Sequence, residues 1–428
     1  MDSVNCGNDK KIKVFMISDH SLATSGVALQ SRFVAEALIK TGRYTVFQFG
    51  GAISHSNHDP IQVSPYGDDF RIVPVNGFGD KMQIRTAIAV EKPDIMFLFT
   101  DPRFFIHIFE MEDEIHDCLP IIYWNIWDNY PVPTFNHVLY DSCDTLNCIN
   151  KVAFNSINEM GLGHKCNYIP HTLPPGMFKR LERKDIKAYR ANIFGKERVD
   201  HFIVSWVNRN ARRKQPGDLL MGWKQFIEKL EAEEGHKKAT LVMHTNPLDQ
   251  EGPNLFKMIE MLGVQDTVFL SNSKLDQAQM NVLYNCIDWN CTISSAEGFG
   301  LSILEAKHVG VPSITQKTGG LKDQLINDET GEYFGICKDP DCITLVGSQA
   351  VPHIHDNYLT WETISGAIYE AYKMPKDEYD KLSRRCMEDI EERFKYEDMV
   401  QKWDESIIDT VEKYKANKNK PRYTLQTL

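Results

Sequence analysis

The stretch Glu297-Gly298-Phe299-Gly300-Leu301-Ser302-Ile303-Leu304-Glu305 decides the fold, because it joins a strand to a helix through a glycine-rich turn. The apolar segment 289–293 before it is typical of a buried strand, and a helix is predicted to begin near Leu301. Gly298 and Gly300 let backbone amides approach a ligand closely, and the helix directs its N-terminal amides to the same place. This arrangement indicates an α/β sheet and favours a phosphorylated ligand.

The two carboxylates at the ends of this stretch, Glu297 and Glu305, would repel phosphate and are suited to bind hydroxyl groups instead. A ligand with both phosphates and many hydroxyls is a nucleotide sugar. The residues alone leave a second interpretation open, in which Glu297 caps a helix and Glu305 is a solvated helix residue.

The length and composition, 428 residues with 42% hydrophobic and 25% charged residues, predict a globular protein of two domains. We expect it to be cytoplasmic, because its first residues are polar and no apolar run approaches the roughly 18 residues that span a bilayer. The ten cysteines form no CxxC pair, which favours reduced thiols and no zinc site. The net charge of −11 weighs against nucleic acid or anionic lipid as a partner.

Strands and helices alternate along the chain, which predicts two domains with parallel sheets. We expect residues 1–176 to form the first Rossmann-like domain, residues 177–200 a linker, and residues 201–395 the second. Residues 416–428 are polar and basic and are predicted to form a loose tail. In this architecture a ligand lies at the carboxyl ends of the strands, in the cleft between the sheets.

The run from Ser295 to Gly331 resembles the nucleotide-sugar signature of glycosyltransferase family 4, a retaining group of the glycogen-phosphorylase-like superfamily. It contains a loop, a helix, a strand and the second loop Thr318-Gly319-Gly320 in the order of that signature. The resemblance implies the GT-B fold, in which two Rossmann-like domains face each other across a cleft. It also implies that a C-terminal helix at about 396–415 completes the first domain.

The activity that the resemblance implies is transfer of a sugar from a UDP- or GDP-sugar to a hydroxyl acceptor, with retention of anomeric configuration. Arg209 and Lys214 match the arginine and lysine that hold the diphosphate in this family, where they would stabilise the leaving group. Glu297 would orient the transferred sugar and completes the predicted catalytic set. The chain departs from the family at Asn208 and at Gln215, where glycine is usual, and a basic surface turn would also explain this cluster.

The resemblance implies several further donor contacts. Glu305 would bind the ribose hydroxyls, the glycine at position 26 would let amides approach the phosphates, and the residues after the strand that ends at Leu270 would lie beside the base. The predicted donor-binding residues are thus Gly26, Ser271, Asn272, Gly298, Phe299, Gly300, Leu301 and Glu305.

Acceptor recognition is expected in the first domain, where polar and aromatic residues follow two strands. The candidates are Asp101, Arg103, Trp127 and Asp128. Many family members have a His-Asp pair where this chain has Trp127-Asp128, so that histidine's contribution is absent. Aromatic rings could stack on a sugar or a base, and core packing explains them equally well. A glycan, lipid or small glycoside fits the acidic surface best; the alternative is a hydroxylated base of modified DNA, as some phage enzymes use.

We expect no essential metal and no cofactor, because the donor phosphate can itself accept the acceptor's proton. The sequence Asp339-Pro340-Asp341 has the DxD spelling of metal-dependent glycosyltransferases of another fold, but the proline favours a plain turn. His353 and His355 near Asp356 form a weaker metal candidate. A GT-B sugar-nucleotide epimerase, a phosphorylase and a non-catalytic sugar-binding module remain rival hypotheses for the same fold.

Overall fold

The computed structural model describes residues 10–418, and its first half is built around an eight-stranded sheet. The strands of this sheet are β1 (Ile12–Asp19), β2 (Tyr44–Gly51), β3 (Ile61–Val63), β4 (Gly67–Pro74), β5 (Ile95–Phe99), β6 (Ile121–Asn125), β7 (Thr145–Cys148) and β8 (Cys166–Tyr168). Their order is β3-β4-β2-β1-β5-β6-β7-β8, and all pairs except β3 with β4 are parallel. The helices between them are α1 (Gly26–Lys40), α2 (Lys81–Glu91), α3 (Ile106–Phe109), α4 (Glu112–His116), α5 (His137–Asp141) and α6 (Lys151–Glu159).

The second half contains a six-stranded parallel sheet. It is preceded by α7 (Arg183–Phe194), which lies within the predicted linker, and it comprises β9 (Phe202–Val207), β10 (Ala239–His244), β11 (Val268–Ser271), β12 (Trp289–Thr292), β13 (Ser313–Gln316) and β14 (Gly335–Lys338). Its order is β11-β10-β9-β12-β13-β14. The helices that cover it include α8 (Pro216–Glu234), α9 (Leu255–Leu262), α10 (Gln277–Asn285), α11 (Leu301–His308) and α12 (Gly319–Leu325).

The C-terminal part adds an antiparallel hairpin and three helices. These are β15 (Cys342–Val346), β16 (Ile354–Tyr358), α13 (Trp361–Lys373), α14 (Lys376–Arg393) and α15 (Tyr396–Asn417). The last of these helices matches the C-terminal helix predicted at about 396–415, and the hairpin was not predicted. Helix α15 runs two residues into the predicted tail, of which residues 419–428 lie outside the described range.

The central strands of both sheets are buried on both faces, as parallel sheets require. Four consecutive residues of β1, from Val14 to Ile17, have no exposed surface. Strands that are buried on both faces consist of continuous apolar residues, and for this reason they can be predicted from the sequence. In the described range 10–418, no helix is long and apolar enough to cross a membrane.

Helix α15 follows the second sheet in sequence but packs on the first. The indole ring of Trp403 is fully buried, and its centroid lies 4.8 Å from that of Phe97 and 4.9 Å from that of Trp124. Asp404 accepts hydrogen bonds from the Tyr44 hydroxyl and from Arg43, both beside β2. The two halves are therefore joined twice by the chain, once through the segment that contains α7 and once through α15.

Direct contacts also hold the two halves together around a cleft. Asn150, which caps α6, donates a hydrogen bond of 2.7 Å to the carbonyl oxygen of Gly298 in the glycine-rich turn. The carboxylate of Asp323 on α12 accepts the backbone N–H of Lys151 at 2.7 Å. Asn129 donates to the carbonyl oxygen of His355 at 2.7 Å. The carboxyl ends of both sheets consequently face a common space. This is the α/β architecture of two Rossmann-like domains that the sequence predicted.

Candidate active site

A cavity of 750 Å³ lies in the cleft, at the carboxyl ends of both sheets. Its walls come from the residues that follow β1, β6, β9, β10, β11 and β12. Twelve residues that the sequence singled out line it together, although they are far apart along the chain: Gly26, Asp128, Arg209, Lys214, Ser271, Asn272, Glu297, Gly298, Phe299, Gly300, Leu301 and Glu305. Asp101, Arg103 and Trp127 are absent from its lining.

The centre of this cavity is an ion cluster around Glu297. The Oε2 atom of Glu297 accepts hydrogen bonds from Lys214 and, at 3.3 Å, from Arg213. Arg213 also donates to the carbonyl oxygen of Ala296 at 2.9 Å, which ties it to the same loop. The side chains of Lys214 and Glu297 are only 10% and 11% exposed. Lys214 and Glu297 are thus held together away from bulk water, whereas the Arg213 side chain, which contacts the same carboxylate, is 48% exposed.

The electrostatics of this cluster keep Glu297 ionised. Burial by itself would raise the pKa of Glu297, but the charges of Lys214 and Arg213 outweigh burial and lower its pKa to about 2. Burial lowers the pKa of Lys214, and the negative charge of Glu297 opposes that shift. Arg213 keeps its charge, because the nearby carboxylates of Glu297 and Asp128 offset its burial. The site therefore presents fixed charges of both signs to a ligand.

Helix α11 begins at the wall of the same cavity. Gly300, which precedes the helix, has a φ of 84°, in the left-handed region that favours glycine. Across the cleft, Gly26 begins α1, and a Cβ atom on Gly26 would lie 3.0 Å from Cδ1 of Leu301. The absence of a side chain at Gly26 thus lets the amino ends of two helices approach each other. Both helix dipoles direct partial positive charge at the cavity, which suits a phosphate group.

Glu305 lies one turn into α11 and lines the cavity near its second-domain end. Burial raises the pKa of Glu305 to about 7, although a hydrogen bond of 2.6 Å from the Tyr284 hydroxyl opposes the shift. A carboxylate in this state accepts hydroxyl hydrogen bonds strongly because it is poorly solvated. Ser271, the last residue of β11, and Asn272, which follows it, also line this end of the cavity.

Arg209 lies at the rim of the cavity rather than in its centre. Its guanidinium group makes two hydrogen bonds to the carboxylate of Asp249, at 2.8 and 3.1 Å. The Arg209 side chain is 64% exposed. Within residues 10–418, the cations that contact Glu297 are therefore Lys214 and Arg213, while Arg209 lines the cavity and pairs with Asp249. Arg213 belongs to the basic cluster visible in the sequence, but the family spacing selected Arg209 instead.

The predicted acceptor residues have different surroundings. Asp101 and Arg103 bind each other, with Nε of Arg103 2.7 Å from Oδ1 of Asp101, and Asp101 also caps the short helical turn that follows it. The prediction that Trp127 contacts the acceptor is wrong. Its ring is buried and packs edge-on against Phe135, so it offers no face to an acceptor in the cleft. Asp128 does line the cavity, and burial raises its pKa.

His171 is a cavity residue that the sequence did not single out. It is 5% exposed, and burial lowers its pKa to about 3, so the ring is neutral. Its centroid lies 5.0 Å from that of Phe299 in the glycine-rich turn, and within the described chain its Nδ1 atom has no hydrogen-bond partner. It lies between β8 and α7 in a proline-rich segment, and no motif pointed to it.

The two metal candidates have structural roles. Asp341, just before β15, accepts the backbone N–H of Thr360, which caps α13, at 2.8 Å and so joins the two ends of the hairpin. The ring of His353 packs against Phe135, with centroids 5.1 Å apart. Within residues 10–418, no group of three or more histidine, cysteine, aspartate or glutamate side chains is arranged to hold a metal ion.

Comparison with known proteins places this site in a family context. Residues 193–343 match the family model described as glycosyl transferases group 1. Among curated proteins, the chain is 22% identical over 248 residues to N-acetyl-alpha-D-glucosaminyl L-malate synthase of Bacillus anthracis, covering 57% of this chain and 60% of that protein. It is 24% identical over 215 residues to D-inositol 3-phosphate glycosyltransferase of Segniliparus rotundus, covering 47% and 46%. The chain thus matches about half the length of these relatives.

Solved structures extend the comparison to nearly the whole chain. Anabaena HepE, crystallised with UDP and glucose, is similar with a TM-score of 0.67 at 13% identity, covering 93% of this chain and 100% of that one. Sucrose-phosphate synthase of Thermosynechococcus elongatus has a TM-score of 0.72 at 15% identity, with coverage of 93% and 99%. At such low identity these neighbours show the fold alone.

The fold and the family match over residues 193–343 together make this chain similar to glycosyltransferases with the GT-B fold. The resemblance that the signature predicted, to a glycosyltransferase family with the GT-B fold, is confirmed. Membership of family 4 itself and the retaining outcome stay predictions.

Proposed function

We propose that this protein transfers a sugar from a nucleotide-diphosphate sugar to a hydroxyl acceptor with retention of configuration. The observation that supports the proposal most strongly is the cluster of Glu297, Lys214 and Arg213 at the amino ends of α1 and α11. Phosphates bind cations and free backbone amides, and the hydroxyl groups of a sugar ring donate hydrogen bonds to a carboxylate. The side chains of the cluster supply the cations and the carboxylate, and the two helix ends supply the amides, all within one cavity.

In the proposed reaction, the bond between the anomeric carbon and the phosphate oxygen breaks, and its electron pair goes to the leaving diphosphate. Lys214 and Arg213 stabilise the negative charge that develops there, with Arg209 adding to the field from the rim. The acceptor oxygen forms its bond to the same face of the sugar, and its proton passes to a phosphate oxygen. Glu297 holds the sugar hydroxyls and fixes the ring for this attack.

The remaining donor contacts follow the same geometry. Glu305 accepts hydrogen bonds from the ribose hydroxyls. The base lies beside Ser271 and Asn272, which line the same cavity. The Anabaena neighbour was crystallised with UDP and glucose, so UDP-glucose is the first donor to test, with GDP-sugars beside it. The two curated relatives are named for different compounds, L-malate and D-inositol 3-phosphate.

A panel of UDP- and GDP-sugars tests the proposal, scored by thermal shift and by slow nucleotide release without acceptor. We expect one donor to stabilise the protein and to be hydrolysed, and Glu297→Gln to lose the hydrolysis. Glu260→Gln is the matched control, because Glu260 is 65% exposed on α9 and should behave as wild type. No stabilisation by any nucleotide sugar would overturn the proposal.

The proposal includes two further expectations. Transfer should need no metal, because the leaving diphosphate is neutralised by protein cations; unchanged nucleotide release in EDTA would support this, and restoration by Mg²⁺ after EDTA would contradict it. The protein should act in the cytoplasm, where nucleotide sugars are made, and fractionation of the producing cells tests that location.

A further inference from the structure

A second cavity, of 1130 Å³, lies beside the donor cavity over the first sheet. Its walls are the loops that follow β1, β2, β4 and β5. Thr24, Ser25 and Arg209 line both cavities, so the two spaces meet at the amino end of α1. An acceptor bound in the second space would therefore reach the donor beside Ser25. This inference rests on the proposed function.

An aromatic platform forms one wall of this second cavity. The ring of Phe104 is 58% exposed, which is unusual for a phenylalanine, and its centroid lies 5.4 Å from that of the buried Phe78. Phe78 in turn packs edge-on against Phe105, with centroids 5.4 Å apart. The platform is thus held rigidly from behind while its front remains open. Sugar rings bind such exposed aromatic faces through their C–H groups.

Hydrogen-bonding groups lie on the same walls. Oδ2 of Asp19, the last residue of β1, accepts the hydroxyl hydrogen of Ser25 at 2.6 Å. This bond orients the Asp19 carboxylate at the passage between the cavities and leaves its other oxygen for a hydroxyl donor. Burial raises the pKa of Asp19, so the carboxylate is poorly solvated and gains from an added hydrogen bond.

The charges of this cavity disfavour an anionic acceptor. Among its lining residues, all within the described range, Arg209 is the only side chain with a permanent positive charge, and Asp249 pairs with it. His107 also lines the cavity, and burial together with nearby Lys81 lowers its pKa, so it is neutral at pH 7. Asp19 would repel a phosphate or carboxylate. The counterion release on which DNA binding depends has no free cations here.

We propose that this cavity binds an uncharged saccharide as the acceptor, which stacks on Phe104 and donates a hydroxyl hydrogen bond to Asp19. The donor cavity handles the charged ligand, and the first-domain cavity selects against charge. Phe104 and Asp19 are the specificity-determining residues of this acceptor site.

The experiment measures nucleotide release from the donor found with the nucleotide-sugar panel, in the presence of different acceptors. The neutral probes are maltose, cellobiose and methyl α-glucoside; the charged probes are glucose 6-phosphate, glucuronate and an oligonucleotide with hydroxymethylcytosine. We expect at least one neutral probe to raise release about tenfold or more, and the charged probes to have no effect. Phe104→Ala should raise KM for the neutral probe about tenfold, with a smaller change in kcat.

Phe256→Ala is the matched control, because Phe256 is 47% exposed on α9 and lines neither cavity. Stimulation by charged probes alone, or an unchanged KM in Phe104→Ala, overturns the proposal. If the wild-type protein releases nucleotide from no donor, the proposed function fails instead. The cavity is then tested without catalysis, by saturation-transfer NMR with the same saccharides: transfer that Phe104→Ala abolishes supports the acceptor site, and no transfer in wild type refutes it.

Discussion

The two cavities that we propose for the donor and the acceptor differ in the residues that line them. In the proposed donor cavity, the nearly buried Lys214 and the half-exposed Arg213 both contact Glu297, so charge is fixed in place before a ligand arrives. On the acceptor side, Phe104 and Asp19 face a wide space in which Arg209, at its edge, is already paired with Asp249. In our proposal, this difference divides stabilisation of the leaving group and recognition of a neutral acceptor between two cavities of one cleft.

This separation has an energetic consequence. Breaking a buried ion pair by removing one partner costs about 3–5 kcal/mol, whereas an exposed pair contributes about 0–1 kcal/mol. Substitutions in the Glu297 cluster should therefore affect both activity and folding, and substitutions at the rim should affect neither strongly. The predictions below test that ranking.

The largest effect is expected for Lys214→Ala. The variant removes a cation from the developing leaving-group charge, so kcat should fall by about 10²–10³-fold. It also leaves Glu297 partly uncompensated, so the thermal midpoint should fall as well. Steady-state kinetics and thermal unfolding measure both. Lys257→Ala, at a side chain that is 76% exposed, is the control and should match wild type. A Lys214→Ala enzyme with kcat within threefold of wild type would contradict the donor-site account.

Glu305→Gln should weaken donor binding about tenfold, because a neutral amide accepts ribose hydroxyls less strongly than a carboxylate. In the folded protein the pKa of Glu305 is raised from 4.5 to about 7. Burial therefore penalises its ionised form: the penalty is absent below pH 4.5, grows up to pH 7 and is full above it. Removing the charge should thus stabilise the free protein by roughly 1–3 kcal/mol at pH 8.

Chemical unfolding of wild type and Glu305→Gln at pH 8 and pH 4.5 measures this difference. The gain in unfolding free energy should be present at pH 8 and close to zero at pH 4.5. An equal gain at both values would show that titration of Glu305 is not the cause. If Glu305→Gln binds the donor as tightly as wild type does, the carboxylate of Glu305 does not contact the donor.

Arg209→Ala should have an intermediate effect, weakening the donor by several-fold. Its charge reaches the cavity from an exposed position, so salt screens it over a length of about 10 Å at 0.1 M. The ratio of wild-type to variant affinity should therefore shrink as NaCl rises from 0.05 to 0.5 M, as titration calorimetry can show. If Arg209→Ala weakens the donor as much as Lys214→Ala does, and the loss of affinity does not depend on salt, Arg209 contacts the phosphate directly.

The smallest effect is expected for Asp101→Asn. Asp101 binds Arg103 and caps a short turn beside the second cavity but does not line it. The variant should lose about 1 kcal/mol of stability and change the acceptor KM by less than threefold. Unfolding and acceptor kinetics measure the two effects. A tenfold rise in the acceptor KM with unchanged stability would show that Asp101 contacts the acceptor, as the sequence predicted.

Much of the donor side was predictable because its chemistry is local in sequence. The stretch from Glu297 to Glu305 contains the turn, the helix start and two carboxylates in nine residues, and the structure places all of them on one cavity. The strands were predictable for a similar reason, since buried parallel strands are continuous apolar runs. Strand β13 begins at Ser313, within the apolar segment that follows α11.

The acceptor side was not predictable because its residues meet only in three dimensions. Phe104 and Asp19 follow different strands, and no spacing in the sequence joins them. Trp127 resembled a ligand platform in sequence, but only the packing of Phe135 against it shows that its ring is used in the core. The sequence analysis did not select Arg213, because it is Arg209 that has the family's spacing from Lys214. Only the backbone turn determines which of the two guanidinium groups contacts Glu297.

The most direct test of the central claim is titration calorimetry of UDP and UMP, and of GDP and GMP, with wild type and Lys214→Ala. If Lys214 and Arg213 hold the terminal phosphate, the diphosphate of the preferred base should bind wild type at least tenfold more tightly than its monophosphate. That ratio should fall close to one in Lys214→Ala. Equal affinities in wild type, or a ratio that the substitution leaves intact, would contradict the account.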